Sequence, residues 1–361
     1  MTVLSCLSGH LDLGNNNLSG VLPTELGLMK NLSHLDLGNN TFLSVIPSEL
    51  GRLTSLTYLG IHENSITGTI PTELEYLTDL TVFAVYNNNM TGPIPSELGR
   101  LTSLTYLGIY ENSITDTIPT ELGDLTDLTV FAVYNNNMTG PIPSVLGRLT
   151  SLTYLGIYEN SITGTIPTEL GDLAHLTLLS VRTNNMTGPI PSELGRLTSV
   201  TYLTIAENSI TGTIPTVLGD LAHLTVFAVY NNNMTGPIPS ELGRLTSLTY
   251  LGIYENSITG TIPTELGDLA HLTLLSVRTN NMTGPIPSEL GRLTSLTYLG
   301  IYENSITGTI PTEIGLLSDL HFFNLSLNNL TGTIPSTLGL INDLCKYSCR
   351  YCQSERHSLF V

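Results

Sequence analysis

The sequence predicts an α/β solenoid of about fourteen coils, each roughly 24 residues long, a length typical of tandem structural repeats. Three observations carry this. An asparagine recurs at Asn16, Asn40, Asn64, Asn88, Asn112 and at the same interval on to Asn328. Residues 51–98, 99–146, 147–194, 195–242 and 243–290 are near copies of one another. Within a coil, apolar residues fall at recurring but irregular intervals that neither a helical nor a strand period describes. A period of about 20–50 residues marks units that bury their apolar faces only against their neighbours.

The coil Leu53 to Tyr76 reads LTSLTYLGIHENSITGTIPTELEY. Tyr58–Ile61 alternates and predicts one short strand. Asn64 follows it. Gly68 and Pro71 punctuate a turn, and Thr72–Tyr76 predicts one short helical turn. One strand per coil, stacked coil on coil, makes a parallel sheet with strands about 4.8 Å apart.

The pattern LxxLxxLxIxxNxITGxIPxxLGx, repeated fourteen times, resembles the leucine-rich repeat in its plant-type class. The resemblance implies a curved, right-handed superhelix. Its parallel sheet would lie on the concave side, short helical turns on the convex side, and a second short strand near Thr67–Ile70. Family members of this class are mostly extracellular: receptor ectodomains, inhibitor proteins and adhesion proteins, with some ice-binding relatives in cold-tolerant plants. The repeats occupy residues 1–340, and residues 341–361 form a cysteine-bearing cap or tail. The chain opens inside a repeat, so we expect an N-terminal cap to be absent. Leu4 to Leu13 would then be an open apolar edge that favours end-to-end self-association.

Composition limits the function. Net charge is −18 and only 12% of residues are charged. That argues against nucleic acid or anionic membrane as partner. The sequence has no apolar run long enough for a spanning helix, and Met1–His10 does not read as a signal peptide. An extracellular or cell-surface location therefore rests on the family resemblance.

Buried backbone groups at the turn leaving each strand need partners, and the asparagine column is placed to supply them. Gly68, Gly92, Gly140 and Gly164 predict positive φ. Asp116 replaces that glycine in one coil, and aspartate tolerates the left-handed region. On the convex side Arg100, Asp124, Arg148, Asp172, Arg196, Asp220, Arg244, Asp268 and Arg292 alternate in one column, a ladder of exposed ion pairs worth roughly 0–1 kcal/mol each.

The outward strand positions form the candidate ligand surface. One column reads His62, Tyr86, Tyr110, Tyr134, Tyr158, Arg182, Ala206, Tyr230, Tyr254, Arg278 and Tyr302. A second carries Tyr58, Tyr106, Tyr154, Tyr202, Tyr250 and Tyr298, alternating with Val or Leu. A third carries Glu63, Glu111, Glu159, Glu207, Glu255 and Glu303, alternating with neutral residues. Thirteen of the 16 tyrosines fall on this face. Tyrosine gives a large contact at low entropy cost, and Tyr and Arg are enriched at binding hot spots. Such an aromatic, mildly acidic trough suits a peptide with basic groups, a protein or a carbohydrate chain. A passive structural or adhesive glycoprotein is the alternative, with ice binding through the threonine columns (Thr67, Thr91, Thr115 onward; Thr57, Thr81, Thr105 onward) as a third reading.

Asn-Met-Thr sequons at Asn89, Asn137, Asn185, Asn233 and Asn281 recur once per two coils and are glycosylation candidates outside the cell. Cys345, Cys349 and Cys352 spell CKYSCRYC, which is similar to the cluster motif of radical S-adenosylmethionine enzymes. The nine residues that follow leave no room for the barrel those enzymes need. The ligand types would also suit zinc with His357, and a disulfide-bonded cap is the simplest reading. His175, His223 and His271 each follow an aspartate by three residues and report duplication. No nucleophile–base pair or phosphate-binding glycine loop is present. The reading is a non-enzymatic recognition module without cofactor or metal.

Overall fold

The computed structural model describes residues 9–341. Cys345, Cys349, Cys352 and His357 lie outside the described residues, as does the first half of the apolar edge at Leu4–Leu13. The chain divides into two compact units, Met1–Thr187 and Gly188–Val361.

In the first unit, among the described residues, eight strands form a parallel sheet: His10–Asp12, His34–Asp36, Tyr58–Gly60, Val82–Ala84, Tyr106–Gly108, Val130–Ala132, Tyr154–Gly156 and Leu178–Ser180. Each residue pairs with its counterpart in the next coil, as Tyr106 does with Val130 and Val130 with Tyr154. The second unit repeats this with Tyr202–Thr204, Val226–Ala228, Tyr250–Gly252, Leu274–Ser276, Tyr298–Gly300 and Phe322–Asn324. The fold class is therefore the solenoid that the sequence predicts.

Leu98, Leu101, Leu104, Leu107, Ile109 and Ile114 of one coil are completely buried. Each such side chain contributes about 1.5–3 kcal/mol relative to exposure, and only the neighbouring coils provide its apolar surroundings. Phe83, Phe131 and Phe227 take the central strand position where the neighbouring coils have leucine.

The helical turns are 3-10 turns of five residues, such as Ser96–Arg100 and Thr120–Asp124. A proline precedes each. Pro95, at φ −65°, holds the extended entry that lets the tight turn begin. Gly99, the fourth residue of the turn, lies against the next coil. A Cβ there would lie 2.4 Å from the Glu121 carbonyl oxygen, so the close approach needs glycine.

The asparagine column does what its position predicts. Asn88 Nδ2 donates to the carbonyls of Ile61, Val85 and Tyr86 at 3.0–3.2 Å, while its Oδ1 accepts from the Ile66 amide at 2.9 Å. Gly68, Gly92, Gly140 and Gly164 have φ between 70° and 76°, and Asp116 adopts 63°. The second strand differs from expectation. In the coil Leu53–Tyr76, Thr67–Ile70 forms none, although the Thr67 amide donates to the Ser44 carbonyl and the Gly68 carbonyl accepts from the Thr91 amide. Short second strands occur instead in other coils, as at Thr91–Gly92 paired with Ser113–Ile114.

On the turn side, Arg148–Asp124 (3.8 Å), Arg244–Asp220 (3.3 Å) and Arg292–Asp268 (3.3 Å) are ion pairs of the expected ladder. Arg100 pairs differently. The preceding coil carries Tyr76 in that column, so Arg100 reaches Glu75 at 2.6 Å. Among the described residues no helix is long and apolar enough to cross a membrane.

Candidate functional site

The outward strand positions of the first unit assemble into a stack of rings. Tyr86, Tyr110, Tyr134 and Tyr158 lie face to face, with centroids 4.3–4.4 Å apart and planes within 15°. His62 begins the stack at 4.7 Å from Tyr86. Arg182 ends it, its guanidinium carbon 4.8 Å from the Tyr158 centroid. The ring spacing falls inside the roughly 4.8 Å separation of the strands beneath.

This packing determines what the tyrosines can offer. Their faces are spent on one another, and they present edges and hydroxyls. Burial raises the phenols of Tyr110, Tyr134 and Tyr158 well above the ordinary tyrosine range, and neighbouring phenols add to the shift. Burial also raises Tyr86, Tyr106 and Tyr154.

The second column explains the recurring Tyr-Leu-Gly-Ile-Tyr. A Cβ on Gly108 would lie 2.7 Å from both Cε1 and the hydroxyl oxygen of Tyr106. Glycine is needed because the Tyr106 ring lies along its own strand, over that position and toward Tyr110. Tyr154 lies over Gly156 in the same way. Coil 197–220 departs at both places, with Thr204 for the glycine and Ala206 for the second tyrosine, and both residues are buried.

The second unit holds a shorter stack. Tyr230 and Tyr254 are 4.4 Å apart and nearly parallel. Arg278 follows, its guanidinium 4.1 Å from the Tyr254 centroid and 5.5 Å from that of Tyr302. Burial raises the Tyr254 phenol too, ahead of the effect of Tyr250. Tyr202 is half-buried, whereas Tyr250 and Tyr298 are 8% and 4% exposed and support their neighbours more than they offer a surface.

The two arginines are not free to receive an anion with full charge. Arg182 binds Glu159 at 2.7 Å and Arg278 binds Glu255 at 2.6 Å. In each pair the arginine is the covered partner, 22% and 11% exposed, against 38% and 39% for the glutamates. Glu63, Glu111, Glu159, Glu207, Glu255 and Glu303 all have φ of 52–55°. The left-handed region costs a residue other than glycine roughly 1–2 kcal/mol. Alternate coils of the first unit carry Asn87 and Asn135 there, which tolerate it better, and Thr183, which does not.

Sequence reasoning missed one cluster. His10, His34 and Tyr58 stack at 4.0 and 4.2 Å. Asp12 and Asp36 lie beside them, each accepting from the amide two residues on, at Gly14 and Gly38. Burial, then His10, lowers the His34 imidazole. Burial and Asp36 push the Tyr58 phenol up to about 12. The signal was HLDLGNN at 10–16 and again at 34–40, an echo one coil long that the two-coil copies obscure. No group of three or more metal-ligating side chains is brought together among the described residues.

The threonine columns divide. Thr81, Thr129 and Thr153 hydroxyls donate to the carbonyls of Thr57, Thr105 and Thr129 at 2.8–3.0 Å, so this column is committed to the ladder. The sequon residues Asn89, Asn137, Asn185, Asn233 and Asn281 are all exposed.

Comparison with known proteins adds to this geometry. Residues 9–143 and 142–254 match the family described as leucine-rich repeat region, and residues 247–269 and 319–341 match single leucine-rich repeats. Among solved structures, the plant peptide hormone receptor RGFR1 in complex with RGF2 is 35% identical, with TM-score 0.89, over 93% of this chain and 58% of its own. A TDR receptor is 30% identical, with TM-score 0.84, over 92% of this chain and 62% of its own. A leucine-rich repeat protein of Leptospira interrogans is 31% identical, with TM-score 0.74, over 92% of this chain and 81% of its own. The chain thus spans about three-fifths of the length of the two receptors. None of the curated proteins matches it.

Proposed function

Because the chain belongs to the leucine-rich repeat family, we propose that it is a non-enzymatic, extracellular recognition module that holds a peptide or protein ligand on its tyrosine-rich strand face. The observation that carries this is the preassembled stack from Tyr86 to Tyr158, ended by Arg182. A surface already ordered loses little freedom when a ligand arrives, which is where binding affinity is most often lost. The ligand-bearing neighbours support the reading, since RGFR1, a similar structure, was solved in complex with RGF2.

The stack also bears on the class of ligand. A sugar ring would seek a tyrosine face, and those faces are occupied. Edges and hydroxyls favour a peptide with hydrogen-bonding groups. The engaged hydroxyls of the Thr57 column weigh against ice binding through that column. Glycans on the exposed Asn-Met-Thr sites would decorate another part of each coil.

The test is affinity capture from the extracellular extract of the source organism. Wild type is run beside Tyr110→Ala/Tyr134→Ala/Tyr158→Ala and beside the corresponding triple Phe variant, which keeps the stack and removes the hydroxyls. A partner held by wild type and lost from the Ala variant supports recognition on this face. Identical capture by all three overturns it.

A further inference from the structure

We propose that the strand face of the first unit takes a basic peptide in polyproline II conformation, with a cationic side chain at every third residue. This rests on the reading above that the strand face is the ligand surface.

The argument starts from the two-coil rhythm of that face. Coils with Tyr106, Gly108, Tyr110 and Glu111 alternate with coils bearing Val130, Ala132, Tyr134 and Asn135. Ring shape and charge therefore repeat every second strand. A ligand that makes the same contacts repeatedly must share that period.

The period has a length. Strands are about 4.8 Å apart and the rings above them 4.3–4.4 Å. Two coils thus span roughly 8.7–9.6 Å, depending on height above the sheet. Three residues of polyproline II rise about 9.3 Å and complete one turn, which returns the side chain to the same edge. A β-strand repeats its facing side chain at about 6.7 Å. An α-helix does so at about 5.4 Å per turn. Neither matches. Aromatic-lined grooves are also the surfaces on which polyproline II ligands dock.

The charge follows from the arginine–glutamate geometry. Glu159 is more exposed than the Arg182 that orients it, so this pair turns a carboxylate outward. Glu63 and Glu111 are exposed at the equivalent positions four and two coils earlier. The second unit makes the same choice with Arg278 and Glu255. The chain as a whole carries −18. Cationic side chains are the complement.

Fluorescence anisotropy tests this with three labelled peptides of five lysines each: a Pro-Pro-Lys repeat, a Pro-Lys repeat and a Pro-Pro-Pro-Lys repeat. At about 0.15 M salt, where charges more than ~8 Å apart are screened, the Pro-Pro-Lys repeat should bind roughly tenfold tighter than either control. Glu63→Gln/Glu111→Gln should remove that preference and leave the strand signal in circular dichroism unchanged. Equal affinity for all three spacings overturns the register. A preference that survives the glutamine variant overturns the site. If no basic peptide binds while capture still yields a tyrosine-dependent partner, this inference fails and the recognition reading stands. If capture is also indifferent to the tyrosines, both fail.

Discussion

Asn136→Ala should cost about 3 kcal/mol, and the cost can be worked from its bonds. Asn136 is 7% exposed. Its Oδ1 accepts from the Ile114 amide at 2.9 Å, and its Nδ2 donates to the carbonyls of Ile109, Val133 and Tyr134 at 3.2–3.3 Å. The three carbonyls keep other donors: Asn112 on Ile109, Asn160 on Val133 and the Glu111 amide on Tyr134. Each of those losses belongs at the low end, about 0.5 kcal/mol. The Ile114 amide loses its acceptor with Asn136, and a stranded buried donor costs about 1–3 kcal/mol. Repeat proteins can unfold in parts, so a single midpoint is a poor readout. Hydrogen exchange at the Ile114 amide is the direct assay, and its protection should fall by roughly a hundredfold. Asn16→Ala is the internal control. Asn16 is exposed and, among the described residues, its side chain bonds the Leu13 and Gly14 carbonyls, so its loss should cost under about 1 kcal/mol. A cost at Asn136 below about 0.5 kcal/mol, with the Ile114 amide still protected, would refute the reasoning.

Three further outcomes are expected. The stacked phenols are raised in the folded state, Tyr58 to about 12 and Tyr110, Tyr134 and Tyr158 also upward. Their contribution to stability is therefore complete below the unfolded value near pH 10 and is lost as pH rises through the folded values. Phenolate absorbance should lag until the strand signal collapses; all tyrosines ionising together near pH 10 in a folded chain would contradict this. Gly108→Ala should cost about 1–3 kcal/mol in urea unfolding, because the new methyl meets the Tyr106 ring and forces it off the strand. Glu111→Asn should stabilise by up to about 1 kcal/mol, since asparagine accepts the φ of 53° more readily; a destabilised variant would show that the backbone there is not strained.

Much of the fold could be read from residue spacing, because each cue was local to one coil and copied fourteen times. The positive φ of Gly68 and Asp116 and the turn at Thr72–Tyr76 follow from neighbours within a few positions, and the Asn88 bonds, which cross to the preceding coil, follow from the repeat of its column. The site was legible only as columns. Which face of Tyr110 remains open depends on ring spacing between coils, a distance that no single coil encodes. The Arg182–Glu159 pair joins positions one short of the repeat period apart, so alignment by columns sets them in different rows. Arg100 illustrates the same limit. Its expected partner column holds Tyr76, and the carboxylate that meets it, Glu75, occupies the position of a turn glycine.

The offset between alternate coils has a genetic consequence. Unequal recombination between tandem copies adds or removes whole segments of coding sequence. Excision of two coils rejoins each remaining coil to a neighbour of the kind it had before, with Arg148 again facing an aspartate such as Asp124. Excision of one coil sets arginine against arginine on one side and two Tyr106-type rings side by side on the other. The inheritable quantum of length is therefore the double coil, and alleles of this protein should differ in size by steps of that block.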